Sequence, residues 1–323
     1  GKMENFVDFP LDLGAQWLHG KRNVIGDLIQ TTKTKISEDN SERVFWYENQ
    51  LKAKLPKDVG QIFEEEEEDI LPDISFKDYS LQQGFGKEYE FIVENLAGDH
   101  GASASLLSVG ENNNEGQNSS SGEEDYKFTS SFFELFNQHI IPEVKNNIRL
   151  NTEVTEINHS SEQLQVSTKS NGNYISDKII LTVPITILQD EDINFIPKLP
   201  TEKTSSFAKI GMGAGMKVFL KFSQTFYDGN IIGGKICAAY ADEREGKTGQ
   251  DHVLLAFIMG EQAEYLSNLN TDLEIVNELL QELDLMYNGK ATQYFEKAHV
   301  QDWTKSPFIR GAYSYSKVGI GNA

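Results

Sequence analysis

The sequence predicts a mixed α/β fold, in which strands and helices alternate along 323 residues. Strand-like patterns recur from residue 148 onwards, and other segments show apolar residues at helical spacing. Apolar residues make up 38% of the chain, which is enough for a substantial core. A chain of this length forms one large domain or two interleaved domains.

Two polar segments interrupt the N-terminal half. Residues 64–69 are six consecutive acids, and segment 111–125 is poor in apolar residues. Both compositions are typical of surface loops or disorder. We interpret the acidic run as a solvated face, with a docking site for a cation as the alternative.

The middle of the chain changes from a helical to a strand pattern. Segment 130–146 has apolar residues at helical spacing, and Pro142 should end or kink this helix. Segment 148–186 predicts strands, with a turn at residues 171–173. Because the apolar run 178–188 follows this turn, we interpret the segment as a β-meander that feeds a buried strand.

Strands and helices alternate again towards the C-terminus. Segment 216–222 alternates as a strand, 251–260 predicts a more buried strand, and the apolar residues of 261–287 predict helices. The glycine cluster 211–215 is not a dinucleotide-binding turn, because it precedes a strand and no acidic residue follows about 20 positions later. We interpret it as a flexible turn.

Charge and composition restrict the classes of function. The 29 Lys and Arg residues face 50 Asp and Glu residues, and the net charge of −21 argues against nucleic-acid binding by a basic surface. Such a field attracts cationic small molecules, for example polyamines, or basic peptides. The single cysteine, Cys237, excludes an intramolecular disulfide framework and favours a reducing intracellular compartment, cytoplasm or peroxisome. No apolar run approaches the roughly 20 residues of a membrane span.

One glycine-bracketed segment is unusual. The six histidines form no HxxxH-type pair beside carboxylates, and no G-x-S-x-G elbow is present, so neither a metal site nor a serine hydrolase is predicted. In contrast, Gly14 and Gly20 bracket a tryptophan and His19 in the sequence DLGAQWLHG. Glycine lets the backbone lie close against a flat ligand because it has no Cβ. A turn with a capping histidine is the alternative.

The sequence DLGAQWLHG resembles the GA-x-W-hydrophobic-HG element of flavin-dependent amine oxidases, in the polyamine and spermine oxidase branch. Further segments resemble this family in the same order along the chain: 150–157, 178–188, 193–203, 209–222, 253–266 and 303–315. Together they cover most of the chain outside the loops 40–80 and 110–125.

The resemblance implies an interleaved architecture. Residues 1–30, 126–190 and 302–323 would form part of an FAD-binding domain, and 31–125 with 191–301 a mixed-sheet substrate-binding domain with flanking helices. Non-covalent FAD is the implied cofactor. The implied reaction converts a small cationic amine of the spermine or spermidine class, with molecular oxygen, to aldehyde, amine and hydrogen peroxide. The family's N-terminal G-x-G-x-x-G motif and C-terminal FAD segment are not found here, so we expect a longer protein.

The resemblance also implies catalytic and substrate-binding residues. His19 corresponds to the active-site residue at the mouth of the substrate tunnel, where an imidazole can bind an amine or move a proton. Lys217 corresponds to a lysine that holds a water near the flavin N5, and its charge would assist electron transfer to oxygen. Tyr313 corresponds to an aromatic wall beside the reactive amine. A solvated lysine at a strand end and a core tyrosine are the alternatives for Lys217 and Tyr313.

Cofactor-binding positions follow from the same resemblance. They lie on backbone beside the flavin, at the adenine edge and at a strand end near the pyrophosphate: Gly14 and Ala15; Val154; and Thr182, Val183 and Pro184. We interpret Trp17 and Trp303 as packing residues. Two other functions stay open: a histone-lysine demethylase of the same superfamily, and a non-catalytic binding domain derived from an amine oxidase. The QWLHG element and the absence of a long coiled-coil insertion argue against the demethylase.

Overall fold

The computed structural model describes residues 2–3, 5–63, 71–111, 120–122, 124–170 and 172–319. The acidic run 64–69 and much of the polar segment 111–125 lie outside the described residues, as does Asn171 of the predicted turn. The strands of the described ranges are, in chain order, β1 (Lys2–Met3), β2 (Leu11–Asp12), β3 (Trp17–His19), β4 (Ile36–Glu38), β5 (Arg43–Tyr47), β6 (Gln50–Lys52), β7 (Asp125–Phe128), β8 (Val154–Asn158), β9 (Leu164–Thr168), β10 (Asn173–Ser176), β11 (Asn194–Ile196), β12 (Ile210–Met212), β13 (Gly215–Phe222), β14 (Asn230–Ile232), β15 (Ala239–Asp242), β16 (His252–Met259), β17 (Phe295–Asp302) and β18 (Ser314–Ser316).

The helices of the same ranges are α1 (Val24–Thr32), α2 (Phe76–Gln82), α3 (Glu90–Gly98), α4 (Phe132–His139), α5 (Ile141–Val144), α6 (Ile185–Gln189), α7 (Thr201–Lys209), α8 (Gly260–Ser267), α9 (Asp272–Tyr287) and α10 (Lys290–Tyr294). Short 3-10 helices occupy Val59–Phe63 and Lys87–Tyr89. This mixture of helices and mixed sheets confirms the predicted α/β class.

A seven-stranded sheet forms the centre of the molecule, with strand order β17-β13-β16-β15-β14-β5-β6. β13 and β16 pair antiparallel along their whole length. Both strands are almost entirely buried, because protein covers both faces of the sheet. The strands predicted at 216–222 and 251–260 are therefore confirmed, although the first is buried on both faces rather than on one.

Helices cover one face of this sheet. α9 begins with a capping box, in which the Thr271 side chain accepts from Glu274 N and the Glu274 carboxylate accepts from Thr271 N. Its apolar stripe shares a buried cluster with Val218 and Leu220 of β13. Burial of each such aliphatic side chain contributes about 1.5–3 kcal/mol, so the stripe fixes α9 on the sheet. The helices predicted at 261–287 are confirmed as α8 and α9.

The glycine-bracketed segment DLGAQWLHG lies on the opposite face of the sheet. Phe219 and Leu255 pack there against Phe9 and Leu11, and Trp17 packs against this cluster. Side chains two apart on a strand share a face, so Lys217 lies on the same side as Phe219. The central sheet therefore brings β13 next to the glycine-bracketed segment.

A three-stranded sheet, β3-β7-β4, holds the end of that segment. β3 and β7 are antiparallel, and their register places His19 directly opposite Asp125 and Trp17 opposite Lys127. Cross-strand neighbours of this kind interact directly. The register thus joins two residues more than a hundred positions apart.

The segment 130–186 folds partly as predicted. The helix 130–146 is interrupted at Ile140, and Pro142 stands in the first turn of the second helix, α5. β8, β9 and β10 form the expected antiparallel meander. However, β8 begins only at Val154, because Asn151 has a left-handed φ of 53° that breaks the extended backbone.

The buried strand predicted at 178–188 is wrong. Residues 178–184 form no strand, and 185–189 form α6. Ile180 is 90% exposed, and no strand in the described part of the chain pairs with this run. Without a partner for its N–H and C=O groups an apolar run does not become a sheet strand. The predicted division into two interleaved domains stays a prediction; β11, which falls just after its boundary at residue 190, pairs with β8.

The interpretation of the glycine cluster 211–215 as a flexible turn is only partly correct, because Gly211 and Met212 belong to β12 and Gly215 begins β13. Only Gly213 and Ala214 connect the two strands. β12 pairs with β18, and Gly213 donates its N–H to Tyr313 O at 2.8 Å. A Cβ on Gly213 would lie 1.5 Å from Gly101 O, so only glycine fits between these backbone segments. The cluster therefore brings β18 and the preceding Tyr313 against β13.

Candidate active site

A cavity of about 540 Å³ opens between β13, β16, the segment 14–19 and the loop 303–313. Its volume lies within the range of small-molecule sites, about 300–1,000 Å³. Five predicted site residues line it together: Gly14, Ala15, His19, Lys217 and Tyr313. The roles assigned to these residues stay predictions, but the fold places them around one space.

The other predicted cofactor residues lie away from this cavity. Val154 and Val183 pack against the same small apolar cluster, while Thr182 is exposed and Pro184 precedes α6. The loop 303–313 links this region to the cavity wall, through a hydrogen bond from Thr186 Oγ1 to Ile309 O at 2.7 Å and through ion pairs of Arg310 with Asp190 and Asp192. The structure thus forms two groups of predicted residues.

Lys217 is anchored in the wall of the cavity. Its side chain is buried, and Nζ donates to Gly14 O at 2.7 Å, to Asp12 O at 3.2 Å and to Gln16 Oε1. Nζ also lies 5.5 Å from the centre of the Trp17 ring. An ammonium has three protons, and these bonds use all of them, so a water bound to Lys217 must replace one of the three acceptors.

Burial lowers the pKa of Lys217 to about 8. The charges of Glu243 and Asp12 oppose this fall, and the charge of Lys247 adds to it. Lys217 is therefore not the solvated strand-end lysine that sequence alone left open. At neutral pH it places a positive charge at an otherwise apolar wall.

Gly14 keeps part of the cavity free. A Cβ at Gly14 would meet Trp303 Cζ2 at 3.8 Å, which is an ordinary contact, so the protein itself leaves room for a side chain there. Trp303 Nε1 donates to Leu13 O at 2.8 Å, which fixes the indole beside the glycine. A glycine that faces open space beside a fixed indole fits a flat ring system. Gly20 differs: its φ of 67° and the nearby Ser121 O, 2.1 Å from a built Cβ, require glycine for the turn.

Exposed titratable side chains stand on one part of the cavity lining: His19 and Asp99 line the cavity, and Asp125, which does not line it, binds His19. We define these three residues as the mouth of the cavity. His19 Nδ1 lies 2.7 Å from Asp125 Oδ1, and the His19 side chain is 77% exposed. The bond to Asp125 raises the pKa of His19 above its usual value, and the charge of Asp99 acts in the same direction. Asp99 keeps contact with solvent, yet the protein that surrounds it in this concave wall raises its pKa to about 6.

Aromatic side chains form a large part of the remaining wall, together with Met216, Met259 and Ile309. Tyr313 lines the cavity and stays 45% exposed, while the surrounding protein and the charge of Asp99 raise its pKa above the usual range. Trp17 Nε1 donates to Asp39 Oδ2 at 2.8 Å, and the Trp17 ring packs edge-on against Phe257. Trp17 and Trp303 both line the cavity, so the interpretation as mere packing residues misses part of their role.

Sequence reasoning also missed several polar residues. Asp99 follows α3 as its C-cap and lines the cavity, and Asp125 and Glu243 reach the site through sheet register. Gln16 could have been predicted from the sequence, because it lies inside the glycine-bracketed segment itself. For the others, the sequence contains no local pattern that distinguishes them from the many acidic residues of this chain.

The described residues offer neither a metal centre nor a membrane-spanning helix. No three His, Cys, Asp or Glu side chains among them are grouped so that they could hold a metal ion. Within the same residues, every helix is too short or too polar to cross a membrane.

Comparisons with known proteins agree on one family. The profile described as flavin containing amine oxidoreductase matches residues 136–323. Lysine-specific histone demethylase 1 homolog 3 of Arabidopsis thaliana is 30% identical over 176 residues, which are 52% of this chain and 11% of that protein. Probable polyamine oxidase 4 of the same plant is 25% identical over 357 residues, 96% of this chain and 68% of that protein. The chain thus spans about a tenth of the first relative.

Solved structures show the same fold. A wild-type putrescine oxidase bound to putrescine superposes with a TM-score of 0.80 at 18% identity, covering 97% of this chain and 80% of that chain. The family resemblance predicted from the sequence is confirmed, and FAD, the predicted cofactor, is the cofactor of this family. The profile match covers more than half of the residues, so the chain belongs to the flavin containing amine oxidoreductase family.

Proposed function

We propose that the protein oxidises small polycationic amines, of the spermine or spermidine class, to an imine, which water hydrolyses to aldehyde and amine, while molecular oxygen takes up the two electrons and two protons as hydrogen peroxide. The observation that carries this proposal is the layout of the cavity: carboxylates at the mouth, aromatic walls, and a buried ammonium. Family membership supports amine oxidation, and a polyamine oxidase is among the relatives. The net charge of −21 supports a cationic substrate.

The residues present fit a flavin. Gly14 and Ala15, with the indole of Trp303, would hold the flat ring, because they leave open space beside a fixed aromatic side chain. We assign the adenine and pyrophosphate parts to Val154 and to 182–184, as the sequence resemblance implies. When bound, FAD accepts hydride from the carbon next to the amine nitrogen and returns the electrons to oxygen.

The mouth would select the substrate. Asp99 lines the cavity and Asp125 is bound to the cavity residue His19, so two carboxylates would attract an entering cation. A hydrogen bond between charged groups contributes about 1.5–3 kcal/mol. His19 is held through Nδ1, which leaves Nε2 to exchange a proton with substrate or water. Tyr313 offers an aromatic face to an alkylammonium chain. These groups bind one end of a long diamine while the apolar walls enclose its methylene groups.

Lys217 would act on the oxygen side of the reaction. Its charge is held in place before any reaction occurs, so it stabilises negative charge that develops on oxygen without reorganisation of the protein. Apolar walls strengthen this effect because they exclude water. No other lysine or arginine among the described residues lines this cavity.

Cys237 does not offer a covalent attachment point. Its side chain is fully buried, Sγ donates to Ala239 O at 3.0 Å, and burial raises its pKa well above the usual value. We therefore propose that FAD is bound without a cysteinyl link, and that acid precipitation of the holoprotein releases all the yellow colour into solution. Flavin retained in the pellet would contradict this. The free thiol also supports our proposal of a reducing intracellular compartment.

A substrate panel with one charge variant tests the proposed function. Hydrogen peroxide formation by the FAD-loaded full-length protein is measured with spermine, spermidine and a methyl-lysine histone peptide. We expect the polyamines to react fastest, and Asp99→Asn to lower kcat/KM for them by about 10- to 100-fold. Asp284→Asn on α9, which packs on the far face of the sheet, is the matched control.

Two outcomes would redirect the proposal. Faster turnover of the methyl-lysine peptide would favour a demethylase, which the 30% identity to the demethylase homolog supports as the second candidate. Absence of turnover with every amine would favour a binding domain.

A further inference from the structure

The amide of Gln16 links Lys217 on β13 to the carboxylate of Glu243. Glu243 follows β15, donates its N–H to Val253 O at 3.0 Å, and has a side chain that is buried. Gln16 Nε2 donates to Glu243 Oε1 at 2.7 Å, and Gln16 Oε1 accepts from Lys217 Nζ. Lys217, Gln16 and Glu243 form a buried chain of hydrogen bonds that we call the amide bridge.

The chemistry of the three groups fixes the direction of this bridge. An ionised carboxylate only accepts hydrogen bonds and an ammonium only donates them, so Gln16 satisfies both only with its NH₂ group towards Glu243. The other two protons of Lys217 are bound by the main-chain carbonyls of Asp12 and Gly14. Gln16 is thus the one side-chain acceptor among the three, and Glu243 holds it in orientation.

We propose that Glu243 is a positioning residue for Lys217: through the Gln16 amide it fixes the ammonium on the cavity wall and keeps it charged. The proposal rests on the proposed function only in that Lys217 serves the reaction with oxygen. The bridge itself is a property of the folded chain.

The charged groups around Lys217 determine how strongly the negative charge of Glu243 affects the pKa of Lys217. Burial lowers the pKa of Lys217, and the carboxylates of Glu243 and Asp12 oppose that fall. Two further lysines face the same region: Lys247, bound to the carbonyls of Phe128 and Ser130, and Lys127, whose Nζ lies 5.7 Å from the Trp17 ring centre. Lys127 is itself paired with Asp39 at 3.5 Å, so Lys247 is the cation that acts on Lys217. Removal of the negative charge of Glu243 leaves Asp12 as the remaining carboxylate that opposes burial and Lys247, so the proton of Lys217 is lost more easily.

Direct titration of Lys217 tests the proposal without turnover. In protein labelled with ¹³C at lysine Cε, the signal that disappears in Lys217→Met is assigned to Lys217, and its chemical shift is followed from pH 6 to 11. Glu243→Gln keeps an acceptor for Gln16 but removes the charge. We expect its Lys217 midpoint to fall by about one pH unit or more. Gln16→Met, which breaks the bridge, should lower it as well.

Glu282→Gln is the matched control. Glu282 is another buried carboxylate, bound to Ile236 N, Cys237 N and Tyr240 OH, outside the cavity wall. Its Lys217 midpoint should equal that of the wild type. An unchanged midpoint in Glu243→Gln, or an equal fall in Glu282→Gln, would overturn the proposal.

Measurements of the reaction rate distinguish a failure of this proposal from a failure of the proposed function. In the FAD-loaded full-length protein, the rate of reaction with oxygen should decrease as pH rises through the Lys217 midpoint, and in Glu243→Gln the decrease should move to lower pH. A profile that stays in place while the NMR midpoint moves would overturn the positioning role. If no amine is oxidised, the proposed function fails, whereas the NMR titration still decides whether Glu243 controls Lys217.

Discussion

The two ends of the cavity differ in how their charges are held. Lys217 is buried and bound to three acceptors, two of them backbone carbonyls. At the mouth, His19 and Asp125 are exposed, and their bond spans two strands of a small sheet. Folding therefore fixes the buried charge, whereas solvent, salt and pH act on the mouth. We infer that the buried end serves chemistry and the mouth serves capture of the substrate.

Loss of the buried charge should have the largest effect. In Lys217→Met, which is similar in length but uncharged, the reaction with oxygen should slow by about 10- to 1000-fold, because a preorganised charge is lost. Anaerobic reduction by the amine should change much less. Stopped-flow measurement of the two half-reactions in the full-length protein checks this.

Lys221→Met is its matched control. Lys221 lies on the same strand, but it pairs with Asp251 and Glu296 rather than facing the cavity. Both half-reactions should stay within about twofold of the wild type. If the rate of the reaction with oxygen is unchanged in Lys217→Met, Lys217 has no catalytic role. The inference that the buried end of the cavity serves chemistry would then be wrong.

The buried charge should also be visible in stability. The pKa of Lys217 is about 8 in the folded chain against 10.5 in the unfolded chain, so between these values the unfolded state binds more protons. Stability of the wild type relative to Lys217→Met should therefore rise with pH across this window, by about 1.4 kcal/mol per pH unit and about 3 kcal/mol in total.

Urea unfolding of the wild type and of Lys217→Met at pH 7.5 and pH 11 measures this difference, and the subtraction cancels the contribution of the other groups that titrate there. A stability difference between wild type and Lys217→Met that stays constant would mean that Lys217 is solvated, and the contrast would be lost.

A change in salt concentration should affect the two ends of the cavity differently. Raising the salt from 0.1 M to 1 M shortens the Debye length from about 10 Å to about 3 Å. The kcat/KM for spermine should fall by roughly tenfold, because the acidic mouth and the net charge of −21 steer a polycation. The reaction of the reduced protein with oxygen should not change, since Lys217 is buried. A flat kcat/KM would show that the acidic surface does not attract the substrate.

The fold was predictable where the signal was local. Residues 216–222 and 251–260 show strand patterns, and 261–287 shows helical spacing, so periodicity alone located β13, β16 and α9. The prediction of a strand at 178–188 is wrong because a strand also needs a partner strand, which local composition does not encode.

The site was predictable only where residues are contiguous or resemble a family segment. Gly14, Ala15 and His19 lie in one short stretch, and Lys217 and Tyr313 followed from the resemblance. In contrast, Asp125 meets His19 through strand register, over a separation of 106 residues. Such pairing depends on how the whole sheet assembles, so one sequence does not predict it.

The smallest expected effect concerns pH at the mouth. His19 carries a pKa above its usual value because of Asp125, so its positive charge is lost as pH rises through that raised pKa. Asp99, with a pKa of about 6, gains negative charge as pH rises through that value. Both changes make the mouth more negative, so kcat/KM for spermine should increase by about two- to fivefold between pH 5.5 and 8, an amount limited by solvent screening. In His19→Gln only the increase near pH 6 should remain, and in Asp99→Asn only the increase due to His19. A wild-type profile that is preserved in both variants would place the titrating groups outside the mouth, and capture of the substrate would then not depend on the exposed end of the cavity.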